Sequence, residues 1–377
     1  MYYFDHSATT PIYPEVIELM NDIGTHQYGN PSSVHSLGQE TRNIIEVARK
    51  QIADAINAPS DTIIFTGGGS EANNLVLWSL IHLKKQHVIT SAIEHPAVLN
   101  VLKALKPFGI THTIIPVDKY GIIQLDELKA AIKHDTGMIS IMYANNEVGS
   151  IQPLSEIVSI AQEQNIPVHS DAVQTLGKIP INVVSLPADY LSFSAHKFYG
   201  PKGVGFLYKK RGQFLKPLII GGGQERKLRA GTENVVGIAG MGLAANLVTG
   251  QPEKNRRHLE SLSNQFKTQL LKEYPEAIFN GSEKNQLPGL ISVVLPAATS
   301  DLMMIGLGRN NMAVSNGAAC SSGTVEPSHV LQAMKIRKEH NIKTLRISFG
   351  KDNNSEEVRL LVETITSLLK QFRMNAN

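Results

Sequence analysis

The sequence predicts an α/β fold with a large domain, built on a mostly parallel seven-stranded sheet, and a smaller α+β domain. Between about residues 60 and 210, short β-branched or apolar runs alternate with helix-like segments, which is typical of βαβ units. Beyond residue 250 the composition changes, and a long helical pattern precedes two further strand-like runs. A chain of 377 residues that is 42% hydrophobic and 18% charged is also long enough for more than one domain.

Seven runs in the first region are predicted to form the strands of the large sheet. They are residues 62–65, 87–90, 113–115, 138–142, 166–169, 190–193 and 203–207. Ligands of open α/β sheets bind outside the carboxyl ends of the strands, where the loops converge. We therefore expect the functional residues in the loops that follow these runs.

The smaller domain is predicted from strand-like runs at 290–295 and 345–349 and from a helix over 355–372, whose apolar residues recur at helical spacing. The first residues of the chain are expected to pack with it. The predicted division is a large domain over 16–250 and a small domain formed by 1–15 together with 251–377.

Composition and charge exclude several classes of function. The formal net charge of +3 is spread along the chain without a basic stripe, so direct nucleic-acid binding is not predicted. The first ten residues do not resemble a secretory signal, and no uncharged apolar run is long enough to span a bilayer, which favours a cytoplasmic protein without membrane contact. A single cysteine rules out an intrachain disulfide, and no metal site is predicted.

A glycine-rich turn and a carboxylate follow two of the predicted strands. The segment 65–74, Phe-Thr-Gly-Gly-Gly-Ser-Glu-Ala-Asn-Asn, leads into a predicted helix, where backbone amides can bind a phosphate; an ordinary strand-to-helix turn is the alternative. Asp171 ends an apolar strand, where a carboxylate is costly unless paired, so it could pair with a protonated ring nitrogen or cap a helix. Gln174 could donate a hydrogen bond to the same ring.

A lysine and a histidine follow two other strands. Lys197 comes directly after a core strand among small and aromatic residues, where an amine loses its proton more easily, as Schiff-base chemistry requires. Lys202, in a turn after a proline, is the solvated alternative. His95 could stack on a cofactor ring and transfer protons, although a lone histidine is often structural. Asn146 lies at a further strand end.

Cys320 lies in a run of small, polar and flexible residues over 314–327. Such a run favours an exposed loop and an accessible thiol. A buried, inert thiol is the alternative for a lone cysteine.

The order and spacing of these motifs resemble the cysteine desulfurase family of fold-type I pyridoxal-phosphate enzymes, within the class V aminotransferase group. The resemblance extends over nearly the whole chain. Its motifs are at 3–11 (Tyr-Phe-Asp-His-Ser-Ala-Thr-Thr-Pro), 28–33, 65–74, 94–96, 166–174, 192–203, 229–234 and 314–327.

The resemblance implies that the chain binds pyridoxal 5'-phosphate, with Lys197 as the Schiff-base lysine and His95 stacked on the ring. The implied cofactor-binding residues are Gly69, Ser70, His95, Asn146, Asp171, Gln174, Ser194, His196, Lys197 and Thr232. Thr232 matches a residue that reaches the phosphate of the neighbouring subunit, which implies a homodimer with shared active sites.

The resemblance also implies a reaction, in which L-cysteine is converted to L-alanine and its sulfur is transferred to Cys320 as a persulfide. Arg346 and Asn146 would bind the substrate, with Arg346 clamping its carboxylate. Lys197, His95 and Cys320 would be the catalytic residues. The sulfur would then pass to a protein acceptor, either an iron–sulfur scaffold or a tRNA thiolation enzyme.

Three other functions remain open on the sequence. A selenocysteine lyase or an aminotransferase of the same fold group would share most of these residues. A catalytically silent relative with a regulatory role would share the fold alone, and the intact Lys197, Asp171, His95, Arg346 and Cys320 argue against it.

Overall fold

The computed structural model describes residues 1–316 and 327–376. Within these ranges the strands are β1 (Tyr2–Tyr3), β2 (Ile63–Thr66), β3 (His87–Ser91), β4 (Thr111–Ile115), β5 (Thr136–Ser140), β6 (Val168–Asp171), β7 (Tyr190–Ser194), β8 (Gly205–Lys209), β9 (Ile278–Asn280), β10 (Leu290–Val294), β11 (Met312–Ala313) and β12 (Thr344–Ser348).

The α-helices lie between and after these strands. They are α1 (Pro14–His26), α2 (Ser36–Ala55), α3 (Gly69–Trp78), α4 (Pro96–Leu105), α5 (Leu125–Ala131), α6 (Leu154–Glu163), α7 (Gln224–Lys227), α8 (Val235–Thr249), α9 (Pro252–Glu273), α10 (Ser300–Arg309), α11 (His329–Ala333), α12 (Lys338–Asn341) and α13 (Ser355–Ala376). Among the residues described, none of these helices has the length and apolar character needed to cross a bilayer.

The large sheet has the seven predicted strands in the order β2-β8-β7-β6-β5-β3-β4. β8 runs antiparallel to both of its neighbours, and the other pairs are parallel, so the prediction of a mostly parallel sheet is confirmed. Some bounds differ: the run predicted at 138–142 is β5 at 136–140. Ile141 and Met142 lie beyond the last residue of β5 and are buried, and backbone hydrogen bonds to β6 continue past Ser140, from the amides of Ile141 and Tyr143 to the carbonyls of His169 and Asp171.

Helices cover both faces of this sheet. Alternate strand residues point to opposite faces, so Ile63 and Phe65 pack in one core with α2, α6 and α8, whereas Ile64 packs in another with α3 and α4. Burial of both faces explains why the strands are continuous apolar runs and not alternating ones. The free ends of the parallel strands are left to bind ligands.

A second core surrounds the antiparallel sheet of β12, β10 and β9, which packs against α9, α10 and α13. The start of the chain joins this region, since β1 pairs in parallel with β11 and Phe4 packs edge-on against Phe349. These elements form the α+β part of the predicted fold class. The boundaries at residues 16 and 250 stay a prediction.

The outer edge of β2 is covered by a buried ion pair. Arg49 and Glu225 form two hydrogen bonds, of 2.9 and 2.7 Å, between guanidinium and carboxylate. Arg49 also donates to the Ile63 carbonyl, and Glu225 accepts from the Phe65 amide, both on β2. Glu225 lies in the four-residue element α7, which is not a regular α-helix, because its last three residues, 225–227, have positive φ and form a turn.

Candidate active site

A cavity of about 440 Å³ opens at the carboxyl ends of the parallel strands. It brings together ten of the twelve residues predicted for the site: Gly69, Ser70, His95, Asn146, Asp171, Gln174, Ser194, His196, Lys197 and Arg346. Its volume lies within the range of small-molecule and cofactor sites. The roles of these residues depend on their individual geometry.

Asp171 ends β6 and is buried, with 7% of its surface exposed. One carboxylate oxygen accepts a hydrogen bond of 2.7 Å from the Asn73 side chain, and the other accepts one of 3.1 Å from the Val173 amide. Turns and not a helix follow Asp171, so the helix-cap alternative is wrong. The carboxylate is held in one orientation at the base of the cavity.

Lys197 ends the short helical turn Ala195–Lys197 that follows β7. Its Nζ donates two hydrogen bonds of 2.7 Å, to the carbonyl oxygens of Ser7 and Ala8. Burial, with the nearby charge of Arg346, lowers the pKa of Lys197 to about 8, against the opposing effect of Asp5 and Asp171. An amine with this pKa supplies a substantial neutral fraction near pH 7.5, which nucleophilic attack on an aldehyde requires. Lys202, the alternative, is exposed.

His95 caps α4, where its Nδ1 accepts a hydrogen bond of 3.1 Å from the Ala97 amide. An Nδ1 that accepts leaves the proton of the neutral ring on Nε2. Burial and the charges of Lys197 and His329 lower the pKa of His95, and Asp171 acts in the opposite direction. The neutral ring can therefore exchange a proton through Nε2.

The phosphate end predicted for the cavity lies at the start of α3. Gly69 and Ser70 occupy the first turn, whose amides have no intrahelical partner. A Cβ on Gly69 would lie 2.5 Å from Cγ2 of Val173, so a larger residue cannot take this position without displacing the wall. Ser194 ends β7, and the Nδ1 of His196 is 3.1 Å from the hydroxyl of Thr9.

Arg346 reaches the cavity from β12, on the smaller sheet. It donates to a carboxylate oxygen of Asp5 at 2.7 Å and to the Asn146 carbonyl at 3.0 Å. Its buried Nε has no hydrogen-bond partner among the described residues. The guanidinium is thus oriented into the cavity with bonding capacity left over for a ligand carboxylate.

Comparisons with known proteins agree with this geometry. The family model described as aminotransferase class-V matches residues 2–361. A cysteine desulfurase IscS from Dictyoglomus turgidum is 43% identical over 374 residues, covering 98% of this chain and 95% of the relative. The chain belongs to the cysteine desulfurase family.

Solved structures of relatives have the same fold. A NifS-like protein superposes with a TM-score of 0.92 at 37% identity, covering 98% of this chain and 99% of the other. A structure of SspA in complex with cysteine gives a TM-score of 0.81 at 35% identity, with 93% and 99% covered. The resemblance inferred from the sequence motifs is therefore confirmed, as is the fold class.

The remaining two of the twelve residues predicted for the site of this cysteine desulfurase family member are Thr232 and Cys320. Thr232 is exposed in the segment before α8 and does not line the cavity. Cys320 lies outside the described residues. The assignment of both residues stays a prediction.

Four contributors to the cavity were not predicted. Asn73 fixes Asp171, the carbonyls of Ser7 and Ala8 hold Lys197, and Asp5 pairs with Arg346. Asn73 could have been found, since it lies one helical turn after Gly69 and shares its face of α3. The others depend on contacts between distant parts of the chain.

Proposed function

We propose that this chain is a pyridoxal-phosphate-dependent cysteine desulfurase that forms alanine from L-cysteine and transfers the sulfur to Cys320. The observation that carries the proposal is that one cavity contains a lysine of lowered pKa, a fixed carboxylate and a partly bonded arginine. These are the groups needed to bind, respectively, an aldehyde, a protonated ring nitrogen and a substrate carboxylate.

Three features of the cavity support pyridoxal phosphate as its cofactor. The fixed Asp171 carboxylate would pair with the ring nitrogen, and Gln174 directs its amide nitrogen to the Ser7 carbonyl with a second hydrogen left over. The helix start at Gly69 and Ser70 provides unpaired amides for the phosphate. When bound, the cofactor supplies an electron sink for the carbon from which a proton is removed.

The protein's own groups would handle binding and proton transfer. Arg346 binds the carboxylate of cysteine in bidentate fashion, exchanging bonds that it now makes to Asp5. Lys197 takes the proton from the α-carbon, because its lowered pKa makes it a base near neutral pH. His95, protonated on Nε2, moves protons to and from the substrate thiol.

The sulfur transfer is a displacement at sulfur. The Cys320 thiolate attacks the substrate sulfur, an S–S bond forms and the Cβ–S bond breaks, with its electron pair going to carbon, which is then protonated to give alanine. Two equivalents of a thiol reductant release sulfide from the persulfide and are oxidised to a disulfide. In the cell a protein acceptor, an iron–sulfur scaffold or a tRNA thiolation enzyme, takes the sulfur instead.

The test is incubation of cofactor-loaded protein with cysteine and a thiol reductant, with alanine and sulfide measured. Lys197→Ala should lose the visible absorbance and both products, whereas Lys202→Ala, an exposed lysine nearby, should retain them. Cys320→Ser should keep the absorbance and lose sulfide. An undiminished rate in Cys320→Ser contradicts the acceptor assignment, and wild-type protein without visible absorbance supports the silent relative. Activity on selenocysteine alone supports a selenocysteine lyase, and conversion of an amino acid to its keto acid supports an aminotransferase.

We also propose a homodimer in which Thr232 of one subunit completes the site of its partner. Its exposed position away from its own cavity supports this. Coexpression of Lys197→Ala with Thr232→Ala would give mixed dimers with one intact site, so activity should reappear. No recovery in verified mixed dimers contradicts shared sites.

A further inference from the structure

Lys178 is a partly buried lysine that the proposed mechanism does not use. Its Nζ donates a hydrogen bond of 2.8 Å to Oε1 of Gln174, four residues earlier. No ion pair among the described residues includes it, although buried cations are normally paired. Burial and the positive charges of Lys197 and Arg346 lower the pKa of Lys178 to about 7.

Lys178 is not a second Schiff-base lysine. It faces a separate space of about 20 Å³ behind Lys197, which His6 and Lys351 also line. Gln174 lines the large cavity and Lys178 does not. Gln174 is therefore the residue through which Lys178 makes a hydrogen-bonded connection to the large cavity.

The hydrogen bonds fix which way the Gln174 amide points. An ammonium group can only donate, so the atom facing Lys178 must be the amide oxygen. A carbonyl can only accept, so the atom facing Ser7, at 2.9 Å, must be the amide nitrogen. The Ser7 carbonyl also accepts a hydrogen bond from Lys197, so the two lysines are connected through Gln174 and the Ser7 carbonyl.

We propose that Lys178 is a positioning residue that holds the Gln174 amide with its nitrogen toward the cavity, so that it donates to an anionic ring oxygen of the bound cofactor. This inference rests on the proposed function, since it needs pyridoxal phosphate in this cavity. The positive charge of Lys178 also polarises the amide, and the anionic oxygen in turn provides the opposite charge that Lys178 lacks. Above pH 7 the neutral amine can also accept, so its hold on the amide weakens.

The test is a pH titration of the visible absorbance of cofactor-loaded protein, which does not depend on turnover. A donor to the ring oxygen favours its anionic form, so its loss in Lys178→Met should raise the apparent pKa of the absorbance change by on the order of one unit. Lys178→Arg, which keeps charge and donors, should restore the wild-type curve. Lys351→Met is the matched control, because Lys351 lines the same small space but pairs with Asp352 and makes no bond to Gln174.

A double-mutant cycle separates positioning from a general structural effect. If Lys178 acts through Gln174, then Lys178→Met should add nothing in a Gln174→Met background. Additive shifts, or a Lys178→Met curve that coincides with the wild type, overturn the inference alone. Wild-type protein that binds no cofactor overturns the proposed function and this inference with it.

Discussion

The two walls of the cavity come from different sheets and differ in how their polar groups are bonded. On the first wall, which comes from the seven-stranded sheet, both carboxylate oxygens of Asp171 and both ends of the Gln174 amide have hydrogen-bond partners. On the second wall, which comes from the three-stranded sheet, the Nε of Arg346 has no hydrogen-bond partner among the described residues. The guanidinium forms an ion pair with Asp5, whose side chain is 19% exposed.

This difference fits two kinds of ligand. Groups locked by several bonds are preorganised for a molecule that stays bound, because no rearrangement is needed during each turnover. A guanidinium with spare capacity and an exchangeable carboxylate suits a ligand that enters and leaves. The comparison therefore predicts that changes on the first wall affect the rate and changes on the second affect substrate recognition.

The largest expected effect is on the first wall. Asp171→Asn removes the negative charge that would stabilise a protonated ring nitrogen, and kcat for alanine formation should fall by about 10²- to 10³-fold. Asp189→Asn removes another buried carboxylate, just before β7, which accepts a hydrogen bond from the Val168 amide and does not line the cavity; it should leave kcat near wild type. A less than tenfold loss in Asp171→Asn breaks the comparison.

The second wall should show a smaller effect of a different kind. Arg346→Lys keeps the charge but loses the bidentate fork, so kcat/KM for cysteine should fall by about 10- to 100-fold while the absorbance of the bound cofactor is unchanged. Asp5→Asn is the comparison variant, since it retains the guanidinium and removes a partly exposed ion pair together with a charge that raises the pKa of Lys197; a change below about fivefold is expected. If Arg346→Lys lowers kcat without raising KM, the division between the walls is wrong.

The smallest expected effect is on the pH dependence of folding stability, through a buried histidine in the sheet that forms the first wall. His169, on β6, is buried between the hydroxyls of Ser140 and Ser192, and burial lowers its pKa to about 3. The unfolded chain, with an ordinary histidine pKa near 6.5, binds the proton more readily, so stability falls as pH drops from about 6.5 toward about 3, by up to about 1.4 kcal/mol per pH unit.

His169→Gln removes this proton uptake, and the fall of the urea unfolding midpoint between pH 6.5 and 4 should become shallower. His26→Gln changes an exposed histidine on α1 and serves as the matched control. Equal pH dependence in wild type and His169→Gln would show that this histidine does not contribute to acid sensitivity.

The strands of the large sheet, and the functional residues that follow them, were predictable because both are marked by short stretches of the sequence. Each strand of the large sheet is a short apolar run, and its chemically useful residue follows directly, as Asp171 and Lys197 do. Parallel strands bring these ends to one edge, so proximity follows from topology without knowledge of individual contacts.

What the sequence did not predict depends on contacts between distant residues. Asp5 and Arg346 are 341 positions apart, and the Ser7 carbonyl reaches Lys197 across 190 positions. Backbone carbonyls also have no signature in residue type. Lys178 was missed for a further reason: a lysine four residues after a glutamine is common in sequences, and only its burial and its hydrogen bond to Gln174 make it unusual.

The ion pair between Arg49 and Glu225 at the outer edge of β2 protects the protein against aggregation. An open sheet border offers free amides and carbonyls on which another chain can polymerise. Here Arg49 and Glu225 already occupy two of those groups, at Ile63 and Phe65. The same pair holds the turn at 225–227, whose positive φ angles are unfavourable for residues with side chains. Loss of the pair would therefore release the turn and leave the edge of β2 open to pairing with a strand of another molecule.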